Sequence, residues 1–187
     1  MATVATRVVP IRSGTATIRP AEPADAGATI ALRLAMAQET EFLSGKPGEI
    51  RTSVEEAAAF LRKKLSSPVD LYLLAEVGTR VVGIASLDGS TLARFEHGVT
   101  LGLGVRQDFW RQGLGTALVR ALLDWADSHG MVRTALEVVE TNTGAIRLYE
   151  SFGFEHEGRL RCRRKHGSTY VDNCLMARIR PLAVSAH

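Results

Sequence analysis

Cysteine is scarce in this sequence of 187 residues, which holds only Cys162 and Cys174. Two cysteines cannot build the framework that staples small secreted domains, so a reducing compartment is the simpler setting. They flank an expected turn at residues 165–168, where they could face each other across a hairpin. Long apolar runs are missing too. None nears the ~20 residues of a membrane span, and the opening Met1-Ala2-Thr3-Val4-Ala5-Thr6-Arg7 has no apolar signal core. A soluble, cytoplasmic protein that engages no membrane is expected. Charge of one sign is also lacking, since 23 Lys+Arg against 20 Asp+Glu leave a net +3. This suits an anionic small ligand and falls short of a nucleic-acid footprint. No metal site, internal repeat or low-complexity segment is read.

What is present is an ordinary globular composition, 45% hydrophobic and 23% charged, long enough for one domain and too short for two. Residues 1–13 read as a loose extension, 14–180 as the domain and 181–187 as a tail. Residues 15–19 read as a strand. Pro23 and Asp25 punctuate a helix start, and residues 26–38 carry helical apolar spacing. Gly45, Pro47 and Gly48 mark a loop. Ser53-Val54-Glu55-Glu56 is a capping box opening a helix to about residue 65. Two β-rich runs, 71–77 and 80–87, meet at Gly78-Thr79, a hairpin signal. A strand over about 96–105 follows.

A helix over about 113–128 places Leu114, Ala117, Leu118, Ala121, Leu122 and Trp125 on one stripe, with Gly130 as its stop. Residues 135–139 read as a strand, 144–150 as a helix, and 154–164 with 169–178 as a closing hairpin. The order is β-α-α-β-β-β-α-β-α-β-β. The fold class is α/β: a mixed sheet of about seven strands with about four helices on its two faces.

The run Asp108-Phe109-Trp110-Arg111-Gln112-Gly113-Leu114-Gly115-Thr116-Ala117-Leu118 joins a strand to that periodic helix. A glycine-rich turn at a helix start aims backbone N–H groups at one spot, aided by the helix dipole, and such a spot suits a phosphate. A dinucleotide fold wants a third small residue where Leu118 stands. A P-loop needs a lysine after the last glycine, and none follows Gly115. Glycines kept only for tight packing are the remaining alternative. Downstream stands Asn142-Thr143-Gly144-Ala145-Ile146-Arg147-Leu148-Tyr149-Glu150-Ser151-Phe152-Gly153-Phe154.

Together the two strings resemble the GNAT acetyltransferase superfamily, over about residues 15–176. Gly167-Ser168-Thr169-Tyr170-Val171-Asp172, with Met176 beyond, resembles its branch acting on small molecules and N-terminal amines. The family's motif usually has Gln or Arg three residues before the first glycine, and here that place is Trp110. The resemblance implies a splayed sheet, with acetyl-coenzyme A wedged into the fork. It implies that backbone N–H groups of Arg111, Gln112, Gly113, Leu114, Gly115 and Thr116 hold the pyrophosphate. A backbone N–H among residues 103–105, with Leu103 and Val105 as candidates, would polarise the acetyl carbonyl. Gly102 and Gly104 hint at a bulge or a close backbone approach there, or merely bend the strand. Tyr149 occupies the usual general-acid position; alternatively it is a core residue with a hydrogen-bonded hydroxyl. Asn142 orients the cofactor's arm, caps its helix, or both.

An amine attacks only when neutral, so a base or a water wire must take its proton. The place where many members carry a glutamate holds Thr100 and Leu101 instead. Glu96, His97 and Glu137 are the candidates beside a water wire, with His97 near pKa 6.5 by type. Glu39, Glu41 and Asp172 are candidates for holding a cationic acceptor; alternatively they are solvated acids. Arg159, Arg161, Arg163, Arg164 and Lys165 alternate with Leu160 and Cys162 as one solvated strand face would. The expected function is direct acetyl transfer to a small primary amine: an amino acid, a polyamine or an antibiotic-like amine. A protein N-terminus as acceptor and a non-catalytic acyl-coenzyme A sensor are the alternatives. A homodimer is expected by analogy with the family.

Overall fold

The computed structural model describes residues 4–181. β1 (Arg7–Ile11) and β2 (Gly14–Pro20) open the chain as a hairpin. α1 (Ala26–Glu39) and α2 (Val54–Ser66) follow, then the meander β3 (Leu71–Val77), β4 (Arg80–Gly89) and β5 (Gly98–Val105). α3 (Leu114–Ser128), β6 (Arg133–Val139) and α4 (Thr143–Glu150) come next. The hairpin β7 (Glu155–His166) and β8 (Thr169–Ile179) closes the fold. One mixed sheet results, in the order β1-β2-β3-β4-β5-β6-β8-β7, with β5–β6 as its parallel pair.

Among the described residues there are eight strands where about seven are expected, because β1 lies inside the stretch read as a loose extension. Val8, Val9 and Ile11 are β-branched and pair with β2. Pro10 hides the run in the sequence but is tolerated here, because β1 is an edge strand. Residues 1–3, and residues 182–187 of the expected tail, lie outside the described residues. Among the described residues, no helix is long and apolar enough to cross a membrane.

The two faces of the sheet are packed differently. Leu61 and Ala57 of α2 pack with Ala26 and Leu74 on one face. On the other, Leu114, Leu118, Leu122 and Trp125 of α3 join Tyr149 of α4 over Val82, Leu101, Leu136 and Met176. The helix ends obey local rules. Ser53 accepts from the Glu56 N–H while Glu56 returns to the Ser53 N–H, the expected capping box. Gly130 takes φ +75°, and the Met131 N–H donates back to the Ala126 carbonyl, a Schellman stop for α3.

The feature that positions the site is a fork. β5 and β6 pair only at Gly98–Arg133, Val99–Thr134 and Thr100–Ala135. Beyond that β5 stays with β4 out to Val105, and β6 stays with β8 out to Val139. The β4–β5 register is unbroken, so the bulge hinted at by Gly102 and Gly104 does not exist. Those glycines make room instead. A Cβ on Gly104 would stand 3.0 Å from Met36 Cε of α1, and one on Gly102 would stand 2.8 Å from Ser86 Oγ.

Candidate active site

Strand alternation decides which groups face the fork. The Arg106 N–H donates to the Val82 carbonyl of β4, which puts even-numbered peptide groups of β5 on the β4 side. The Leu101 N–H closes the last rung of the parallel ladder on β6, and the N–H groups of Leu103 and Val105 point into the open fork. By the same count, the Arg180 N–H on the Val132 carbonyl turns the peptide groups of Glu137 and Val139 into the fork from β6. A slot lined by unpaired strand edges can take an extended chain carrying amides, as an added strand would.

The glycine turn caps the mouth of this slot. Arg111 and Gly113 take φ of +56° and +92°, and Gly113 is the N-cap of α3. Alternating left-handed residues at a helix start turn successive N–H groups toward one point, as in anion-binding nests. The first N–H taken by the helix itself is that of Ala117, on the Gly113 carbonyl. Those of Leu114, Gly115 and Thr116 stay at the open end. Gly115 also lets α4 approach, since a Cβ there would lie 3.3 Å from Leu148 Cδ2.

The turn is braced from outside. The Arg12 N–H donates to the Gln112 carbonyl at 3.0 Å, and the Gln112 amide donates to the Asp108 carbonyl at 2.6 Å. Ser13 Oγ donates to Gln112 Oε1. The Gln112 side chain thus holds the turn and leaves only its backbone for a ligand. Trp110, standing where the family usually has Gln or Arg, donates its indole N–H to the Val105 carbonyl at 2.7 Å. This brace from the β1–β2 turn carries no local sequence signal.

The second string builds α4. Asn142 Oδ1 accepts from the Ala145 N–H at 3.2 Å, so Asn142 is a helix cap. Gly153 takes φ +81° and ends the helix in a Schellman motif, with the Phe154 N–H on the Tyr149 carbonyl. Phe154 then packs on the Tyr149 ring, centroids 5.7 Å apart. Tyr149 is buried, and its hydroxyl makes no side-chain hydrogen bond among the described residues. Burial pushes that hydroxyl up to about 12, so it stays protonated across the neutral range.

The carboxylates sort themselves by position. Leu136 and Val138 belong to the α3–α4 core, so Glu137 points to the opposite face of β6. Arg163 Nε donates to Glu137 Oε1 at 2.8 Å and Asn173 Nδ2 donates to the same oxygen at 2.6 Å. Arg163 first, then Asn173, hold this carboxyl below its ordinary 4.5 against the pull of burial. Glu137 and Tyr149 thus flank one fork from opposite faces.

The other candidates stand elsewhere. His97 precedes β5 at the closed root of the fork, where its carbonyl accepts from the Val132 and Arg133 N–H groups. Eight residues of extended strand, roughly 26 Å, separate it from Val105, and Glu96 is beside it. Glu39 is engaged by Arg106 Nε at 2.5 Å and the Gln107 N–H at 2.9 Å, bracing the chain after β5. Asp172 accepts from the Cys162 N–H at 2.7 Å and Arg159 Nε at 2.6 Å. Glu41 meets His166 at 3.0 Å, at the tip of the β7–β8 hairpin.

The basic run is not one face. β7 bulges between Leu160 and Arg164, with Cys162 at φ +53°, which breaks the alternation. Arg159 turns to Asp172, Arg163 to Glu137, and Arg164 to the Phe42 and Leu43 carbonyls. The bulge also separates the cysteines. Cys174 is opposite Arg159, and both thiols are free.

A model of the GNAT acetyltransferase family matches residues 36–154, from the last turn of α1 through the fork and the glycine turn to the end of α4. The chain belongs to the GNAT acetyltransferase family. Solved GNAT structures share the architecture. The acetyltransferase of the GNAT family from Streptococcus pneumoniae superposes with a TM-score of 0.85 at 30% identity, covering 88% of this chain and 99% of that one. The yncA protein of Salmonella typhimurium, solved with its cofactor acetyl-CoA, has the same fold at 21% identity. Its TM-score is 0.78, with 92% of this chain and 98% of that one covered.

Among curated GNAT relatives, the L-amino acid N-acetyltransferase AaaT of Escherichia coli (strain K12) is 31% identical over 109 residues. That alignment covers 58% of this chain and 67% of AaaT. The [ribosomal protein bS18]-alanine N-acetyltransferase of the same strain is 46% identical over 52 residues, 28% of this chain and 35% of that protein.

Proposed function

We propose that this GNAT acetyltransferase moves an acetyl group from acetyl-CoA to the primary amine of a small molecule, in one ternary complex. The observation that carries the reading is the fork, with a protonated tyrosine on one face and an ionised glutamate on the other. The N–H of Val105, beyond the last rung of the β5–β6 ladder and next to the glycine turn, fits the cofactor's amide arm. The nest from Arg111 to Thr116 fits its pyrophosphate. Bound acetyl-CoA supplies an electrophilic thioester carbon and a sulfur that leaves.

Around it each residue has one task. The Leu103 N–H, deeper in the fork than Val105, donates to the acetyl oxygen as it gains negative charge. Tyr149, protonated at neutral pH, gives its proton to the departing sulfur. Glu137 draws the incoming cationic amine to the opposite face and takes its proton through water, so Glu137 is preferred here over His97. The free thiols of Cys162 and Cys174 suit a reducing, cytoplasmic setting.

Small-molecule acceptors come first because AaaT, an L-amino acid acetyltransferase, aligns over two thirds of its length. A protein N-terminal alanine is the second reading, favoured by the 46% identity over 52 residues to the bS18-modifying enzyme. Free L-amino acids and polyamines, run beside alanine-starting peptides with release of free thiol as the readout, separate the two. Turnover of the free amines supports the first reading. Turnover of the peptides alone overturns it.

A further inference from the structure

Asn173 has no part in the expected site, yet it is the buried polar residue beside Glu137. It lies on β8 opposite Val139 of β6 and Leu160 of β7, and it is 6% exposed. Its amide nitrogen donates to Glu137 Oε1 at 2.6 Å. A carboxylate only accepts, which fixes the amide orientation and leaves Oδ1 as the other end. That Oδ1 is buried with no hydrogen-bond partner among the described residues. An orphaned buried carbonyl loses its hydration without compensation, so an asparagine here is a poor choice for stability. Leucine has nearly the same shape and would leave no orphan.

The compensation is on Glu137. Its carboxylate stands on the diverging part of β6 and is itself only partly covered. Two side chains hold it: Arg163, exposed and on the bulged strand β7, and Asn173, rigid within the sheet. Arg164, also on β7, adds charge nearby, and no other charged group bears on it among the described residues. Asn173, buried within the sheet, fixes the direction of the carboxylate, while Arg163 reaches it from the exposed bulge of β7.

We infer that Asn173 is a positioning residue, which holds the Glu137 carboxylate in one place on the acceptor face of the sheet, on the β8 side of the fork. This rests on the reading of the fork as an acetyl-transfer site. Asn173 acts through Glu137, so removing it does nothing further once Glu137 is gone.

Asn173→Leu in the full chain, with Glu137→Gln and the double variant, is the test. Asn173→Leu is expected to unfold at no lower temperature than wild type and to bind acetyl-CoA equally well. Its kcat should fall about tenfold. The Glu137 carboxyl, followed by carbon-13 NMR in the unliganded protein, should titrate at higher pH, because the charged form has lost a donor. In the Glu137→Gln background, Asn173→Leu should change kcat no further.

An unmoved Glu137 titration, or additive losses in the double variant, overturns the inference. So does a large fall in unfolding temperature, which would make Asn173 structural. If Asn173→Leu does not fold, Asn173→Ser takes its place with the same titration expected. Failure of wild type to bind acetyl-CoA overturns the functional reading, and the NMR titration still decides the role of Asn173.

Discussion

The two sides of the fork are built from different materials. The side proposed for the cofactor is mainly backbone: strand-edge N–H groups of β5, a left-handed turn at Arg111 and Gly113, and the first turn of α3. The side proposed for the acceptor is side chains from distant parts of the sequence: Glu137 with Arg163 and Asn173, Glu39 with Arg106, and Arg164 on the Phe42 and Leu43 carbonyls. Backbone sites need particular φ values and missing side chains, which short motifs record. Side-chain sites need pairs that only the fold brings together. One fold can therefore keep its donor and change its acceptor.

The contrast breaks most visibly at Gly115. Gly115→Glu puts a carboxylate at the phosphate end of α3 and against Leu148, and should weaken acetyl-CoA binding about 100-fold or more, some 2.7 kcal/mol. Calorimetry on the folded variant checks this, and wild-type affinity would remove the turn from the site. Tyr149→Phe should lower kcat by about 10- to 100-fold and leave cofactor affinity and stability near wild type, because the hydroxyl has no side-chain partner to lose. The raised pKa fixes the sign for wild type. Tyr149 keeps its proton as pH rises, so its loss as an acid begins only near pH 12. A fall in kcat near pH 10, absent from Tyr149→Phe, would contradict this.

Smaller effects should divide cleanly between the two sides. Arg164→Ala frees the loop after α1, and is expected to raise the amine KM about fivefold at unchanged acetyl-CoA affinity. A matching loss of cofactor affinity would show that the sides are coupled. Gln112→Ala removes the brace on the turn and should weaken acetyl-CoA binding about threefold, within the ~0.5–1.5 kcal/mol of a hydrogen bond. A raised amine KM in that variant would blur the division.

This division also explains what the sequence revealed. The capping box at Ser53, the Gly78-Thr79 hairpin, the stripe of α3 and the stops at Gly130 and Gly153 are local and legible, and the element order follows from them. β1 was hidden by Pro10, and the bulge in β7 by an alternation that looks regular in one dimension. At the site, the glycine turn, Asn142 and Tyr149 are recorded in two short strings. Glu39, Glu41 and Asp172 looked available because their partners, Arg106, His166 and the Cys162 N–H, are 10 to 125 positions away. Asn173 had no signal at all, since its meaning depends on a neighbouring strand.

Calorimetric titration of the full chain with acetyl-CoA, beside ATP and NADH, tests the central claim most directly. Saturable binding of acetyl-CoA alone, at micromolar affinity, is the predicted result. No binding by the folded protein, or equal binding of ATP, would contradict the assignment of the fork and its glycine turn to the acetyl donor.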